Sequence, residues 1–157
     1  MKEVNLNIPV KVVAYDELDE KQKTLVDIAR EATLRSYAPY SNFKVGAAIA
    51  LSNGEVIPGS NQENVAYPSG TCAERSACFY AHARYPEAKF EAIAIAARGT
   101  DDEFVETPAA PCGACRQSLL EYETLAGHDV EVILAGAKDI YVLKSVKSLL
   151  PLAFDSF

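Results

Sequence analysis

The run Phe90-Glu-Ala-Ile-Ala-Ile-Ala-Ala97 decides the fold class of this chain. It is short and apolar at nearly every position, which is typical of a strand buried in the middle of a sheet. Before it, the alanine-rich residues 71–84 predict a helix, and after it Pro111 is suited to the first turn of another helix. A buried strand between two helices indicates an α/β fold in which helices cover a sheet.

Four other runs predict strands, which gives five strands in all. Residues 43–51 and 56–61 flank Ser52-Asn-Gly-Glu55, where the Asn-Gly pair supplies the positive φ angles of a tight hairpin turn. Residues 130–135 and 140–143 are joined by a link that is too short for a crossover helix, so we expect them to pair antiparallel. The expected sheet is therefore mixed in direction.

The spacing of apolar residues in the N-terminal segment changes at about Asp16. Residues 4–13 alternate apolar and polar side chains as a strand does, but Pro9 confines them to a sheet edge or an arm. From Asp16 onward the apolar residues recur at helical spacing, and Asp16 or Asp19 can cap the helix start. Because the 157 residues contain no repeat and no linker, we expect one domain, with residues 1–15 as an N-terminal arm or edge strand.

The charge and the apolar content of the chain argue against two classes of binding partner, nucleic acids and membranes. The formal net charge is −7, whereas a protein that follows a nucleic-acid backbone needs clustered Lys and Arg, so we expect no nucleic-acid partner. No stretch approaches the roughly 20 apolar residues that cross a bilayer, and the N-terminus shows no signal pattern. We therefore expect no membrane partner and a cytoplasmic location, in which the 4 cysteines stay reduced.

Three of the cysteines have the spacing of metal ligands. Cys112 and Cys115 form a Cys-x-x-Cys pair at a predicted helix start, and Cys72 lies at another predicted helix start. A helix N-terminus favours the thiolate, which is the form of cysteine that binds metal. Three thiolates around Zn²⁺ leave one tetrahedral position open, as catalytic zinc sites do. We expect one Zn²⁺ ion per chain.

The other candidate ligands fit less well. Cys78 would make a closed structural site, but six residues of helix separate it from Cys72 by about 9 Å of rise and about 240° of rotation. We therefore expect Cys78 to be a buried small hydrophobic residue. His82 lies about 15 Å along the same helix from Cys72, beyond the reach of one ion, and His128 is expected in a solvated loop.

Glu74 and two arginines lie close to these cysteines in the sequence. Glu74 either interacts with the helix dipole or, beside an open zinc site, holds the metal's water and carries its proton. For Glu74 and Cys72 to converge, Cys72 must lie at the helix cap. Arg75, with Arg116 as a second candidate, would offset the negative charge of three thiolates, and the alternative for either is a surface charge.

Four blocks of sequence give a more specific indication. They are Cys72-Ala-Glu-Arg75, Pro111-Cys-Gly-Ala-Cys-Arg-Gln117, Ala38-Pro-Tyr-Ser-Asn-Phe-Lys-Val-Gly-Ala47 and Asn61-Gln-Glu-Asn-Val-Ala-Tyr67. Together they resemble the small homotetrameric, zinc-dependent class of cytidine deaminases, over about residues 19–154. The zinc deaminase signature is His or Cys, one residue, Glu, and later Pro-Cys-x-x-Cys, and this chain has the Cys form. The resemblance implies a three-layer α/β/α sandwich with a five-stranded mixed sheet.

The resemblance also implies a role for individual residues. The implied zinc ligands are Cys72, Cys112 and Cys115, and the implied proton shuttle is Glu74. Phe43 would lie against the pyrimidine, while Asn61 and Glu63 would bind the ribose hydroxyls. The alternatives are that Phe43 begins a core strand and that Asn61 and Glu63 are turn residues.

Three further residues match positions near a subunit boundary of the family. Ala66 and Tyr67 match residues that line the pocket, partly across that boundary. Phe154 matches an aromatic residue that reaches a neighbouring subunit's site. The resemblance thus implies a homotetramer with shared active sites, although Phe154 could instead pack on its own chain.

The implied activity is the hydrolytic deamination of cytidine and 2′-deoxycytidine to the uridine products and ammonia, as in pyrimidine salvage. A carboxylate at Glu63 would repel a 5′ phosphate, so a nucleoside is a better substrate than a nucleotide. One alternative is deamination of a related cytosine nucleoside such as a nucleoside antibiotic. Another is a catalytically silent, zinc-stabilised binding protein, against which the presence of Glu74 argues.

Overall fold

One six-stranded sheet organises the fold. The computed structural model describes residues 1–156. The strands follow the order β1-β6-β5-β4-β2-β3 across the sheet. The strands are β1 (Lys11–Val13), β2 (Lys44–Leu51), β3 (Val56–Ser60), β4 (Phe90–Arg98), β5 (Glu131–Ala135) and β6 (Ile140–Leu143), and the α-helices are α1 (Glu20–Ala32), α2 (Ala73–Arg84) and α3 (Gly113–Ala126). Short 3-10 helices occupy Tyr15–Glu17, Thr33–Arg35, Tyr67–Ser69 and Val146–Leu149.

The sheet is mixed, as the sequence predicts. β4 and β5 run parallel, whereas β5 with β6, β2 with β4 and β2 with β3 are antiparallel pairs. The predicted count of five strands is one too low, because β1 adds an edge strand by pairing antiparallel with β6, from Lys11 opposite Val142 to Val13 opposite Ile140. β1 begins two residues after Pro9, since a proline cannot donate to the ladder.

Helices cover both faces of the sheet, which makes three layers. On one face, α1 packs Leu25, Val26 and Ala29 against the small side chains of Ala94 and Ala96 in β4. On the other face, α2 and α3 pack against the alternate residues of the same strand, Ile93 and Ile95, through Ala77, Ala81 and Leu119. The strand that decides the fold is therefore buried on both sides, and the predicted α/β/α sandwich is confirmed.

The α2 layer lies very close to β3. A Cβ atom at Gly59 would lie 2.6 Å from the carbonyl oxygen of Ala73, so only glycine allows this approach. The contact fixes the first turn of α2 against the sheet edge, and the residues that precede α2 are held with it. Among the described residues, no helix is long and apolar enough to cross a membrane.

Candidate active site

The candidate site lies where the N-termini of α2 and α3 meet. Cys72 is the N-cap of α2 and Cys112 is the N-cap of α3, both with extended backbones (ψ 157° and 166°). Cys115 lies in the first turn of α3 and is fully buried. Pro111, expected in the first turn of its helix, instead precedes the cap, because Cys112 occupies the cap position. Two helix N-termini thus direct their partial positive charge at one group of thiols.

The three thiols are close enough together to hold one metal ion. The Cys72 and Cys112 Sγ atoms are 3.9 Å apart, and the Cys112 and Cys115 Sγ atoms are 3.5 Å apart. All three Sγ atoms lie within 4.8 Å of one another. A zinc–sulfur bond of about 2.3 Å implies sulfur atoms about 3.8 Å apart in a tetrahedral site. The donor set and its spacing therefore fit zinc.

The electrostatics of the Cys-x-x-Cys pair favour loss of the first proton from Cys112. Burial alone would raise the pKa of Cys112, but hydrogen bonds from the Cys115 backbone and the neighbouring thiols outweigh it and lower that pKa. Burial and the nearby Glu74 carboxylate raise the pKa of Cys115 above its usual value. A cation among the thiols would remove this difference by stabilising all the thiolates.

The remaining candidate ligands lie elsewhere. Cys78 is fully buried in the core under α2, and burial raises its pKa to about 12. The His82 ring packs on Tyr122 with ring centroids 5.3 Å apart. His128 follows the C-terminal end of α3, whose N-terminus Cys112 caps, and its Nε2 atom lies 3.5 Å from the Glu91 carboxylate. None of these three described residues belongs to the cluster formed by Cys72, Cys112 and Cys115.

Glu74 is almost completely buried beside the thiols. It lies in the first turn of α2 and is 5% exposed. Burial raises the pKa of its carboxyl group, an effect that contacts with its own backbone, Cys115 and Arg75 partly offset. Because Cys72 is the helix cap, Cys72 and Glu74 line the same cavity, which meets the geometric condition set by their spacing.

The two arginines have different partners. The Arg75 Nη2 atom donates to the Cys72 Sγ atom at 3.7 Å, and this contact raises the pKa of Arg75. Arg116 instead donates to the carbonyl oxygens of Pro111 at 2.7 Å and Leu149 at 2.9 Å. Arg75 is thus the arginine that faces the thiols, and Arg116 ties α3 to the last 3-10 helix.

A cavity of about 410 Å³ connects these groups with the predicted nucleoside-binding residues. This volume lies within the range of small-molecule sites. Of the predicted residues, its walls include Phe43, Asn61, Glu63, Tyr67, Cys72, Glu74, Arg75 and Cys112. The structure therefore brings the metal end and most of the predicted substrate-binding residues into one cavity.

Asn61 and Glu63 hold the loop that presents Phe43. The Asn61 side chain accepts the Val45 N–H at 2.8 Å and donates to the Phe43 carbonyl oxygen at 2.9 Å. The Glu63 carboxylate accepts the Tyr40 N–H at 2.9 Å and the hydroxyl of Ser41. Both side chains follow β3 in the chain, and they thus link the residues after β3 to the start of β2 and to the segment that precedes it.

Sequence reasoning did not single out Ser41. Its hydroxyl oxygen also accepts the main-chain N–H of Phe43 at 3.0 Å, so one hydroxyl links Glu63 to Phe43. A serine two residues before the residue whose N–H it accepts is the pattern of a serine turn, and this local signal could have identified it.

Three predicted residues do not line this cavity: the zinc-ligand candidate Cys115 and the substrate-binding candidates Ala66 and Phe154. Ala66 precedes the 3-10 helix that begins at Tyr67, and the Tyr67 ring packs edge-on against Tyr40 with centroids 6.1 Å apart. Phe154 is 66% exposed, and its carbonyl oxygen accepts a hydrogen bond from the Gln117 side chain at 2.8 Å. The predicted contacts of Ala66, Tyr67 and Phe154 with substrate involve a neighbouring subunit.

Comparisons of the sequence with a family and with individual proteins agree on one family. A family described as "Cytidine and deoxycytidylate deaminase zinc-binding region" matches residues 19–126. A cytidine deaminase of Halalkalibacterium halodurans is 38% identical over 133 residues, which cover 85% of this chain and 93% of the relative. A cytidine deaminase of Sporosarcina psychrophila is 37% identical over 130 residues, covering 83% and 88%.

Solved structures agree with the sequence relatives. The crystal structure of cytidine deaminase from Burkholderia pseudomallei has a TM-score of 0.72 and 39% identity, and the match covers 87% of this chain and all of that one. A structure of cytidine deaminase from Mycobacterium tuberculosis has a TM-score of 0.65 and 31% identity, covering 87% and 98%.

The fold and the three-thiol centre define a zinc-dependent deaminase. More narrowly, the chain belongs to the cytidine and deoxycytidylate deaminase family. Zinc is the cofactor of this family's matched region, and the cluster of Cys72, Cys112 and Cys115 fits that ion.

Proposed function

We propose that this protein hydrolyses cytidine to uridine and ammonia. The observation that carries the proposal is one cavity lined by Cys72, Cys112 and Glu74 and also by the predicted nucleoside-binding residues Phe43, Asn61 and Glu63. The family and the relatives named cytidine deaminase support the same reaction. In the balanced reaction, water supplies the oxygen at C4 of the ring, and the amino group leaves as ammonia.

The three cysteines would hold the zinc ion through their Sγ atoms. Bound there, zinc makes water a stronger acid and hence a usable nucleophile at neutral pH. Three thiolates and one Zn²⁺ have a net charge of about −1, which weakens that effect. The Arg75 guanidinium donates to the Cys72 Sγ atom and counters this negative charge.

Glu74 is the proton carrier of the proposed mechanism. Its carboxylate takes one proton from the attacking water and delivers it to N3 of the ring, and it then takes the second proton from the oxygen newly bonded to C4 and delivers it to the departing amino nitrogen. Its burial favours the neutral acid between these steps, because desolvation penalises the carboxylate. A carboxyl group of suitable pKa at this position can act as both base and acid.

Other residues that line the cavity bind the nucleoside. Phe43 lies against the pyrimidine, and Asn61 and Glu63 bind the ribose hydroxyls. Hydrogen bonds, chiefly from Ser41, lower the pKa of Glu63, so its carboxylate is charged at neutral pH. A negative charge there repels a 5′ phosphate, which favours nucleosides over nucleotides.

The same proposal extends to 2′-deoxycytidine as a second substrate and to a role in pyrimidine salvage. We also propose that the chain is a single domain and that it is located in the cytoplasm. Four free cysteines are consistent with a reducing compartment. We further infer a homotetramer in which Ala66, Tyr67 and Phe154 meet a neighbouring subunit's substrate. The exposure of Tyr67 and Phe154 supports that arrangement.

A substrate panel with metal analysis tests the proposal. Zinc-loaded protein is assayed by ultraviolet absorbance with cytidine, 2′-deoxycytidine, cytosine and cytidine monophosphate. We expect turnover of the two nucleosides and much weaker turnover of the free base and the nucleotide. If zinc-replete protein bound nucleosides without converting any, it would be a silent binding protein, and the proposal would be wrong.

A further inference from the structure

Of the predicted arm of residues 1–15, residues 2–10 precede β1 in the structure, and this shorter arm carries a row of uncovered apolar side chains. Its even-numbered residues include Val4, Leu6, Ile8 and Val10, and their exposed fractions are 72%, 57%, 39% and 42%. Every residue from 1 to 10 is exposed. The family match begins at residue 19, so the arm lies outside it. An apolar row this long is unfavourable in water unless something covers it.

The arm has the sequence of a strand but lacks a strand partner within the chain. Among the described residues, no hydrogen bond reaches the main chain of residues 2–9. The arm runs directly into β1, the edge strand of the sheet, which pairs on one side only, with β6. Unpaired backbone that continues an edge strand is a template for pairing with another chain.

We propose that the N-terminal arms of two copies of this protein pair antiparallel about a two-fold axis at Asn7. In this register Val4 faces the partner's Val10, and Leu6 faces the partner's Ile8. Even-numbered residues then face only even-numbered residues, so the two apolar rows join on one surface. This surface is independent of the deaminase activity.

Charge complementarity selects this register over its neighbours. Pairing about Asn7 places Glu3 opposite the partner's Lys11, and the two-fold axis makes that ion pair twice. A shift by one residue sets the apolar rows on opposite faces. A shift by two residues places Glu3 opposite the partner's Pro9 or the partner's Val13, and the ion pairs are lost.

Pro9 is compatible with the same register. In an antiparallel ladder, alternate residues exchange hydrogen bonds with the facing strand. When the even-numbered residues exchange these bonds, the odd-numbered residues do not donate hydrogen bonds to the partner strand. Pro9 is odd-numbered, so its lack of an N–H loses no hydrogen bond in this pairing. The partner that fits the arm is therefore a second copy of this chain.

Engineered cysteines test the register directly. Asn7→Cys and Asn5→Cys variants of the full-length, zinc-loaded protein are incubated with oxidised glutathione and separated on a non-reducing gel, with the unmodified protein as background. Facing residues lie about 5 Å apart at Cα, within disulfide range, whereas Asn5 lies about 13 Å from the partner's Asn5. Because the arm is exposed, neither change affects folding.

We expect Asn7→Cys to form a covalent dimer at least tenfold faster than Asn5→Cys. Adding Glu3→Lys to the Asn7→Cys variant should slow cross-linking several-fold, and adding Lys11→Glu as well should restore it. Failure of Asn7→Cys to cross-link, or equal rates for the two cysteine variants, would overturn the proposal. A cross-linking rate that Glu3→Lys leaves unchanged would overturn the Glu3–Lys11 register.

Discussion

The Ser41 hydroxyl donates to the Glu63 carboxylate across 22 residues of sequence. The Ser41 oxygen also accepts the Phe43 N–H at 3.0 Å, so the carboxylate, the hydroxyl and the aromatic residue form one connected unit. In the proposed mechanism this unit sets the distance between the ribose-binding group and the ring that lies against the base. Ser41 is thus a positioning residue that acts through Glu63 and Phe43.

Ser41→Ala should raise KM for cytidine about tenfold and change kcat less. The Ser41 hydroxyl connects the Glu63 carboxylate to the Phe43 N–H, so its loss affects substrate placement more than chemistry. Steady-state kinetics measure the two parameters separately. The control is Ser118→Ala, whose hydroxyl bonds only within α3, to the Ala114 carbonyl. Unchanged KM in Ser41→Ala would contradict the positioning role.

The zinc ligands can be separated from the fourth cysteine. Cys72→Ala should lose both bound zinc and activity, because the three-thiol set is broken. Cys78→Ala should keep one zinc per chain and most activity, because Cys78 is buried in the core away from the thiols. Metal analysis after gel filtration gives the zinc content. Release of zinc by Cys78→Ala would show that the ligand assignment is wrong.

Arg75 and Arg116 form a matched pair for testing support of the thiolates. Arg75→Gln removes a charge that contacts the Cys72 Sγ atom, so we expect zinc affinity to fall roughly 10- to 100-fold. Arg116→Gln removes hydrogen bonds to two main-chain carbonyls, so it should lower Tm and leave zinc affinity unchanged. Competition with a chelator measures the affinities. Equal losses of zinc affinity would refute the distinction.

Co-assembly tests whether Phe154 acts in a neighbour's site. Chains with Glu74→Gln and chains with Phe154→Ala are mixed, dissociated and reassembled. If Phe154 acts in trans, some mixed sites combine an intact Glu74 with an intact Phe154, and activity should exceed that of either parent. Confirmed mixed assemblies without any recovery would contradict shared sites.

The sequence predicts the sheet and the metal centre because both depend on local patterns. The apolar run that became β4 and the Asn-Gly turn between β2 and β3 each lie within a dozen residues. Cys112 and Cys115 are separated by less than one helical turn, so their convergence is a property of the helix start. The sequence left residues 1–15 open between an arm and an edge strand, and the predicted sheet did not count them, because β1 has only three residues and its pairing with β6 defines it.

Other features depend on contacts between distant parts of the chain. No local pattern links Glu63 to Ser41, or Arg116 to the Leu149 carbonyl, 33 residues away. Asn61 was predicted only as a ribose-binding residue, yet its amide also fixes Phe43 and Val45. Such bonds arise after the layers have packed, so periodicity and spacing do not reveal them.

The proton-carrying role of Glu74 is the central claim, and one variant tests it most directly. Glu74→Gln keeps the size of the side chain but cannot carry a proton, and Glu121→Gln on the outer part of α3 is the control. With zinc content and binding of uridine both confirmed, we expect cytidine turnover by Glu74→Gln to fall about 10²- to 10⁴-fold, the usual contribution of general acid–base catalysis. Near-normal turnover by zinc-replete Glu74→Gln protein would contradict the mechanism.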